Sequence, residues 1–287
     1  MPCYSPHRAW RTNTINPDTG KRGITFSRSK ALLDMEVIIP CGRCMGCRIS
    51  KSVQWALRCV HESKFHHSNC FITLTYDDAH VPQGGTLVKK HFQDFMKRFR
   101  KSIAPKKVRY YMCGEYGEQL GRPHYHALIF GYDFPDKVPF KYRKDSILYV
   151  SEHLQNLWPF GFVTLGEVTY QTAAYCAKYA TKKVFGDQAS EHYGDRLPEY
   201  STMSLKPGIG FSYWEKYQKE ILQHDSVVRN GRVFPIPRFY TEKFTDDEQA
   251  MLKAARSEKL HMADQSLARL RVREAVKLSK LKMGKPL

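Results

Sequence analysis

Acidic residues are what this sequence most lacks: 28 Asp and Glu stand against 46 Lys and Arg in 287 residues, a formal charge of +18. A field of that sign concentrates polyanions and repels cations, which argues against an ordinary enzyme with a small neutral substrate. Nucleic acid is the first partner to consider. Long apolar runs are missing too: nothing approaches the roughly 18 to 20 apolar residues that span a bilayer, and the opening MPCYSPHRAW has no apolar stretch followed by a small-residue cleavage site. A soluble protein inside a cell, with no membrane partner, is the expectation. The eight cysteines are too sparse for a disulfide scaffold, and three of them crowd into Cys41-x2-Cys44-x2-Cys47, which reads better as a ligand cluster. There is no internal repeat and no G-x4-G-K-[ST] loop, so an attached nucleotide-driven motor of the familiar kind has no support. What is present is apolar material for a core, 42% of residues with 13% aromatic, which separates the chain from a disordered cationic tail.

The first forty residues are polar and broken by Pro17, Gly20 and Gly23, with strands expected over 24–26 and 35–39. Val53, Leu57 and Val60 recur near helical spacing and predict a helix over 49–66. CFITLTYDD then switches to a β-branched strand that ends in Asp77 and Asp78. Over 89–100, Phe92, Phe95, Met96 and Phe99 fall at i, i+3, i+4 and i+7, so one helix face packs while Lys89, Lys90, Lys97, Arg98, Arg100 and Lys101 make the rest basic. Strands over 108–113 and 124–130 flank the glycine-rich GEYGEQLGR and read as a hairpin with a long loop. A Tyr- and Lys-rich insertion over 132–149 precedes a short strand over 162–165 and a helix over 172–183. The stretch 186–236 reads as irregular apart from a helix over 213–222, and Thr245 with Glu248 is a capping-box pattern that opens a helix continuing toward Met283. This order predicts an α+β fold, a central antiparallel β-sheet flanked by helices.

His124-Tyr125-His126 lies in a strand-like segment, where residues two apart share a face, so the two imidazoles can converge on one cation. Two surface histidines at a strand start are the plain alternative. Glu115 precedes His124 by nine residues, and a hairpin brings it to the pair. Two neutral nitrogens and one carboxylate with open positions suit Mg²⁺ or Mn²⁺. Glu118, on the same turn, is the alternative third ligand, and Asp77 or Asp78, after the first strand, could support the ligands from behind, with turn and helix-start roles as the alternative. Tyr175 and Tyr179 in TAAYCAKYATKK share a helix face, with Lys178 and Lys182 alongside. Packing of the helix on the sheet would explain that spacing as well. A phenol, with a reference pKa of about 10, is a poor nucleophile unless neighbouring cations favour its phenolate, and a metal beside lysines supplies them.

FITLTYDD, GEYGEQLGRPHYHALIFG and AAYCAKYATKK, in that order, resemble the three motifs of the replication initiator proteins of small single-stranded DNA bacteriophages, members of the HUH endonuclease superfamily. The resemblance is strongest to the microvirus, gokushovirus-like branch. It extends to CGRCMGCRISKSVQWALRCVHE, MSLKPGIG and PRFY and so spans roughly residues 1–241. It implies an HUH-like sheet with the histidine pair on a central strand and a helix that presents tyrosines across the metal. His124, His126 and Glu115 match the ligand positions, Tyr175 and Tyr179 the tyrosine pair, and Lys178 the lysine between them. The implied activity is a site-specific nick that leaves one tyrosine joined to a 5′ phosphate and a free 3′-hydroxyl, with the second tyrosine allowing a later round of cleavage and joining. The implied partners are single-stranded and double-stranded origin DNA, host polymerase and host helicase, in the host bacterial cytoplasm. The resulting division is an N-terminal Cys-rich segment with its helix over 1–66, a nicking domain over 67–241, and a basic helical tail over 242–287.

Cys41, Cys44 and Cys47, with Cys3 as a fourth thiol, suit a structural Zn²⁺, and His7 is a substitute fourth ligand. Reduced cysteines in a tight turn are the alternative. The 89–109 segment holds nine basic residues and one acidic, which would track phosphates, and Arg122, Lys182 and Lys183 extend the candidate DNA contacts. Aromatic residues interleaved with Lys and Arg in FKYRKDSILY can stack on unpaired bases. Two other classes compete: a non-catalytic zinc-containing DNA-binding protein, and a metal-dependent nuclease that activates water and never becomes attached to its substrate. Oligomeric state is open.

Overall fold

Strands that alternate in and out need something to bury, and the N-terminal ones have little. β1 (His7–Ile15), β2 (Arg22–Thr25) and β3 (Ala31–Ile39) form an antiparallel sheet in the order β2-β1-β3. Ala9 is its one fully buried side chain, while Ile15, Ile24, Leu33, Met35 and Ile38 face solvent. The computed structural model describes residues 3–282 except 144–145, 185, 262–263 and 265, and leaves out the side chains of 143, 179–182, 259–261 and 281–282. It divides into two compact units, 1–51 with 254–287, and 52–253.

The larger unit takes up the chain within α1 (Met45–Ser63) and continues through β4 (Asn69–Thr75), α2 (Lys89–Ser102), β5 (Arg109–Tyr116), β6 (Pro123–Phe130), β7 (Val138–Arg143), β8 (Ser146–Val150), α3 (Glu152–Leu157), β9 (Val163–Gly166) and α4 (Tyr170–Lys182). Then come α5 (Gln188–Tyr193), β10 (Tyr200–Met203), α6 (Phe211–His224), the hairpin β11 (Ser226–Arg229) and β12 (Arg232–Pro235), α7 (Arg238–Thr241) and the start of α8 (Asp246–His261). Seven strands make one antiparallel sheet in the order β10-β5-β6-β4-β9-β8-β7.

Alternation gives the sheet two apolar faces. On one, Ile72, Leu74, Tyr125, Ala127 and Ile129 pack against Phe92, Phe95, Met96 and Phe99 of α2 and Leu154 and Leu157 of α3. On the other, Tyr111, Cys113, Leu128 and Phe130 meet Ala56 and Cys59 of α1 and Ala173 and Cys176 of α4. A sheet covered on both sides by helices is the expected α+β architecture.

Three sequence expectations need correction. The insertion over 132–149 contains the β7–β8 hairpin, which closes one edge of the sheet. The stretch over 186–236 is largely structured. Its β10 is only four residues long and lacks a strong pattern of its own, and it forms because β5 supplies the partner, pairing Tyr200 with Gly114 and Thr202 with Met112. The helix opened at Thr245 is two helices. Its capping box is present, with Thr245 N donating to Glu248 Oε2 at 2.8 Å and Glu248 N donating to Thr245 Oγ1 at 3.3 Å. It ends at His261, and α9 (Leu267–Lys282), in the smaller unit, starts afresh after Ser266 N donates to Asp264 Oδ1 at 2.8 Å.

Candidate functional site

Pairing register builds the site. In the β5–β6 ladder Glu115 stands opposite His124 and Cys113 opposite His126, so both imidazoles and the carboxylate project from one face. His124 Nε2 and His126 Nε2 each lie 2.8 Å from Glu115 Oε1, and the ligand atoms of the three residues all fall within 4.8 Å of one another. Glu115 is buried to 1% exposure. Glu118 lines the adjoining pocket and is not part of this group.

The ring orientations are held from behind. His124 Nδ1 is 3.0 Å from the Arg122 carbonyl, which only accepts, so Nδ1 carries a proton and Nε2 is the nitrogen turned toward Glu115. His126 Nδ1 is 2.9 Å from Thr73 Oγ1, and its ring stacks on Phe71 at 5.5 Å and 8°. Burial lowers the His126 pKa against the opposing pull of Glu115, which favours the neutral ligand form. The 2.8 Å contacts of both Nε2 atoms with Glu115 Oε1 are hydrogen bonds when those nitrogens carry protons and shared ligation when a cation lies among them. Glu115 Oε2, moreover, has no hydrogen-bond partner among the described residues. The donor set therefore fits a divalent metal.

Tyr175 completes the group. Thr169 and Thr172 cap α4 reciprocally, and the small buried residues Ala173, Cys176 and Ala177 let the helix approach the sheet closely. That placement brings Tyr175 Oη to donate to Glu115 Oε1 at 3.2 Å, with its ring 4.9 Å from His126 and the residue 39% exposed. Tyr175, Glu115, His124, Thr75 and Arg122 border an open pocket of about 810 Å³. Arg122 donates to the Tyr76 carbonyl at 3.1 Å and pairs with Asp78, which gives that aspartate a structural role beside the pocket.

The remaining candidates are placed differently. Lys178 is exposed on α4 and Lys183 half-buried at its end, while Tyr179 and Lys182 have side chains outside the described residues. Lys89, Lys90, Lys97, Arg98, Arg100 and Lys101 sit on α2, whose apolar stripe covers the sheet face opposite to the triad, so this helix does not flank the candidate active site. Arg98 donates to the Leu157 carbonyl at 3.2 and 3.0 Å, and Asp94 pairs with both Lys90 and Lys97. Sequence reasoning missed Thr73. The strand alternation in FITLT carries its signal, because Thr73 pairs with His126 by register.

The four cysteines form a second cluster. Cys3, Cys41, Cys44 and Cys47 place their sulfurs within 4.8 Å of one another, with Cys3 to Cys41 at 3.5 Å and Cys3 to Cys44 at 3.8 Å. A tetrahedron with Zn–S bonds of about 2.3 Å has edges of about 3.8 Å. Backbone N–H groups of Tyr4, Cys41 and Cys44 donate to the sulfurs of Cys44, Cys3 and Cys41 at 3.3, 3.2 and 3.2 Å, while burial holds the Cys3 and Cys47 thiols up. Burial raises the Cys44 thiol, yet hydrogen bonds from the Cys47 and Tyr4 backbones outweigh it and bring its pKa to about 7. His7 is exposed and outside the cluster.

A His-x-His pair with a half-buried His124 and a buried His126, and a buried glutamate beside them on an antiparallel sheet, faced by a helix-borne tyrosine, are the features of an HUH-type replication initiator. The family described as replication-associated protein ORF2/G2P matches residues 69–184. The chain is 35% identical over 230 residues to replication-associated protein VP4 of Bdellovibrio phage phiMH2K, covering 76% of this chain and 71% of that one. It is 29% identical over 231 residues to replication-associated protein ORF2 of Spiroplasma virus 4, covering 74% and 69%, and 31% identical over 214 residues to replication-associated protein ORF4 of Chlamydia phage 1, covering 71% and 53%. The chain belongs to this family of phage replication-associated proteins. No solved structure matches it. Among the described residues no helix is long and apolar enough to cross a membrane.

Proposed function

We propose that the protein is a site-specific DNA nickase and strand transferase that starts and ends rolling-circle replication of a circular single-stranded phage genome, of the microvirus, gokushovirus-like type. The observation that carries this reading is the Tyr175 hydroxyl donating, at 3.2 Å, to the carboxylate oxygen that both imidazoles approach at 2.8 Å. Mg²⁺ or Mn²⁺ held by His124, His126 and Glu115 would polarise the scissile phosphate and favour the phenolate.

Tyr175 Oη attacks the phosphorus, a Tyr–O–P bond forms, and the bond from phosphorus to the 3′ oxygen breaks. The phenol loses a proton and the departing 3′ oxygen gains one, so the step is a balanced transesterification that conserves the phosphodiester for later joining. Glu115 orients the phenol, and α4 supplies proximity. Tyr179, one helical turn on, serves the second round, and Lys178 offsets developing negative charge. The Cys3, Cys41, Cys44 and Cys47 set holds a structural Zn²⁺. Origin DNA, single- and double-stranded, is the substrate, with host polymerase extending the 3′-hydroxyl, host helicase opening the duplex, and the host bacterial cytoplasm as the location.

The test is a 3′-labelled single-stranded origin oligonucleotide incubated with Mn²⁺ and run on a denaturing gel. A label that migrates with the protein, and is lost in chelator and in the Tyr175→Phe/Tyr179→Phe variant, is the expected result. Cleavage without attachment would instead indicate a water-activating nuclease, and intact binding without cleavage a non-catalytic DNA-binding protein.

A further inference from the structure

The sheet face that bears the triad also bears an aromatic pair with no part in either core. Glu115 stands opposite His124 and His124 opposite Thr75, while Thr75 N donates to the Phe162 carbonyl at 3.0 Å. These residues form one row across the sheet. Val163 and Leu165 pack into the α2 side, so alternation turns Phe162 toward the triad side. Two strand spacings of about 4.8 Å put the Phe162 backbone about 10 Å from that of His124.

Phe140 reaches the same place from the edge strand. The β7–β8 register slips between Pro139 and Lys141, and an irregularity of that kind re-aims a side chain. Its ring meets that of Phe162 at 5.4 Å and 58°. Phe140 is 55% exposed and Phe162 48%, so an adjacent pair of rings stands in water although the same sheet buries aromatics elsewhere. The segment 137–144 holds four Lys or Arg and no acidic residue. A second copy of this chain, also at +18, would bring like charge to the patch, whereas a polyanion with apolar faces complements it.

Resting on the nicking reading above, we propose that Phe140 and Phe162 form a base-stacking step for the unpaired DNA beside the scissile phosphate, with Lys141 on its backbone. Paired bases hide their faces in the duplex stack, and only unpaired ones offer them to an aromatic ring. The pair therefore selects single-stranded substrate at the point where it enters the site.

The experiment measures binding of the full chain to an oligothymidylate and to a duplex of equal length by fluorescence anisotropy, in chelator. Phe140→Ala and Phe162→Ala are each expected to weaken single-strand binding about tenfold while duplex binding changes less than about twofold. Tyr142, 73% exposed, pairs with Ile147, two residues from the Tyr149 that packs into the α2 side, so the register slip leaves it on the face opposite to Phe140; it is the matched control, and Tyr142→Ala should leave both affinities in place. Phe162→Trp should keep single-strand affinity and add an emission component that the oligothymidylate quenches. Unchanged single-strand binding, equal losses on duplex, an equal loss in Tyr142→Ala, or unquenched emission would overturn the stacking site. So would a dimer that becomes monomeric in the Ala variants with DNA binding intact, which would assign the patch to a second copy. Because binding is read without metal, failure of the nicking assay refutes the reaction and leaves this measurement interpretable.

Discussion

The two ligand clusters are built on opposite principles. The cysteine set draws on Cys3 and a knuckle almost forty residues later, offers four soft donors, and sits beside a sheet whose first strand buries little besides Ala9. The histidine set draws on two neighbouring strands, offers three harder donors, and sits on a sheet with an apolar core on each face. Four thiolates saturate a tetrahedral ion and leave nothing for a substrate, whereas three donors beside an open pocket leave coordination positions free. The first arrangement suits a structural ion where the core is thin, and the second suits a reacting one where an apolar core on each face already holds the sheet.

The largest expected effect tests the first half of that contrast. Cys44→Ser should lower bound zinc, measured by mass spectrometry of the native protein, and expose residues 1–51 to protease, because a structural zinc site carries on the order of 10 kcal/mol of folding free energy. A zinc-free protein with the same protease resistance would break the comparison. Next, Tyr175→Phe/Tyr179→Phe should reduce covalent DNA attachment by about 10³-fold or more, with the melting temperature unchanged. Thr73→Val is expected to weaken Mn²⁺ affinity about 10- to 100-fold by releasing the His126 ring, with nicking restored at saturating metal. A loss that high metal does not rescue would assign Thr73 to the fold instead.

The effect that is smallest at neutral pH, where His61 is unprotonated in folded and unfolded chains alike, separates the stability of the larger unit from its metal. His61 is buried, stacked on Tyr213 at 3.6 Å and hydrogen-bonded to Tyr240 Oη at 2.9 Å. Burial pushes its pKa down to about 3, with Lys64 adding to the shift. The unfolded chain binds this proton from about pH 6.5 downward and the folded chain does not, so stability falls with acid between pH 6.5 and about 3. The slope contributed is at most about 1.4 kcal/mol per pH unit. His61→Gln should flatten it in urea titrations across that range, and chelator should leave the slope of the parent protein unaltered.

Much of this was legible in one dimension. The α2 stripe of Phe92, Phe95, Met96 and Phe99 is fully buried as its spacing predicts, and the His-x-His pair shares a face because strands alternate. Helix and strand periods are properties of a few consecutive residues. The choice between Glu115 and Glu118 was not of that kind, since both lie near one turn and only the ladder that sets Glu115 opposite His124 separates them. Strand β10 was missed for the same reason, its partner being more than eighty residues away.

The sequence by itself determined the ligand chemistry, the excess of positive charge and which helix faces are apolar, because composition and local periodicity carry them. Tertiary structure alone decided that Tyr175 meets Glu115 from 60 residues away, that the basic face of α2 lies across the sheet from the triad, and that Phe140 stands against Phe162. The reason is physical: strand register and helix placement are set by long-range pairing and by the volume of small residues such as Ala173 and Ala177, and no local pattern encodes either.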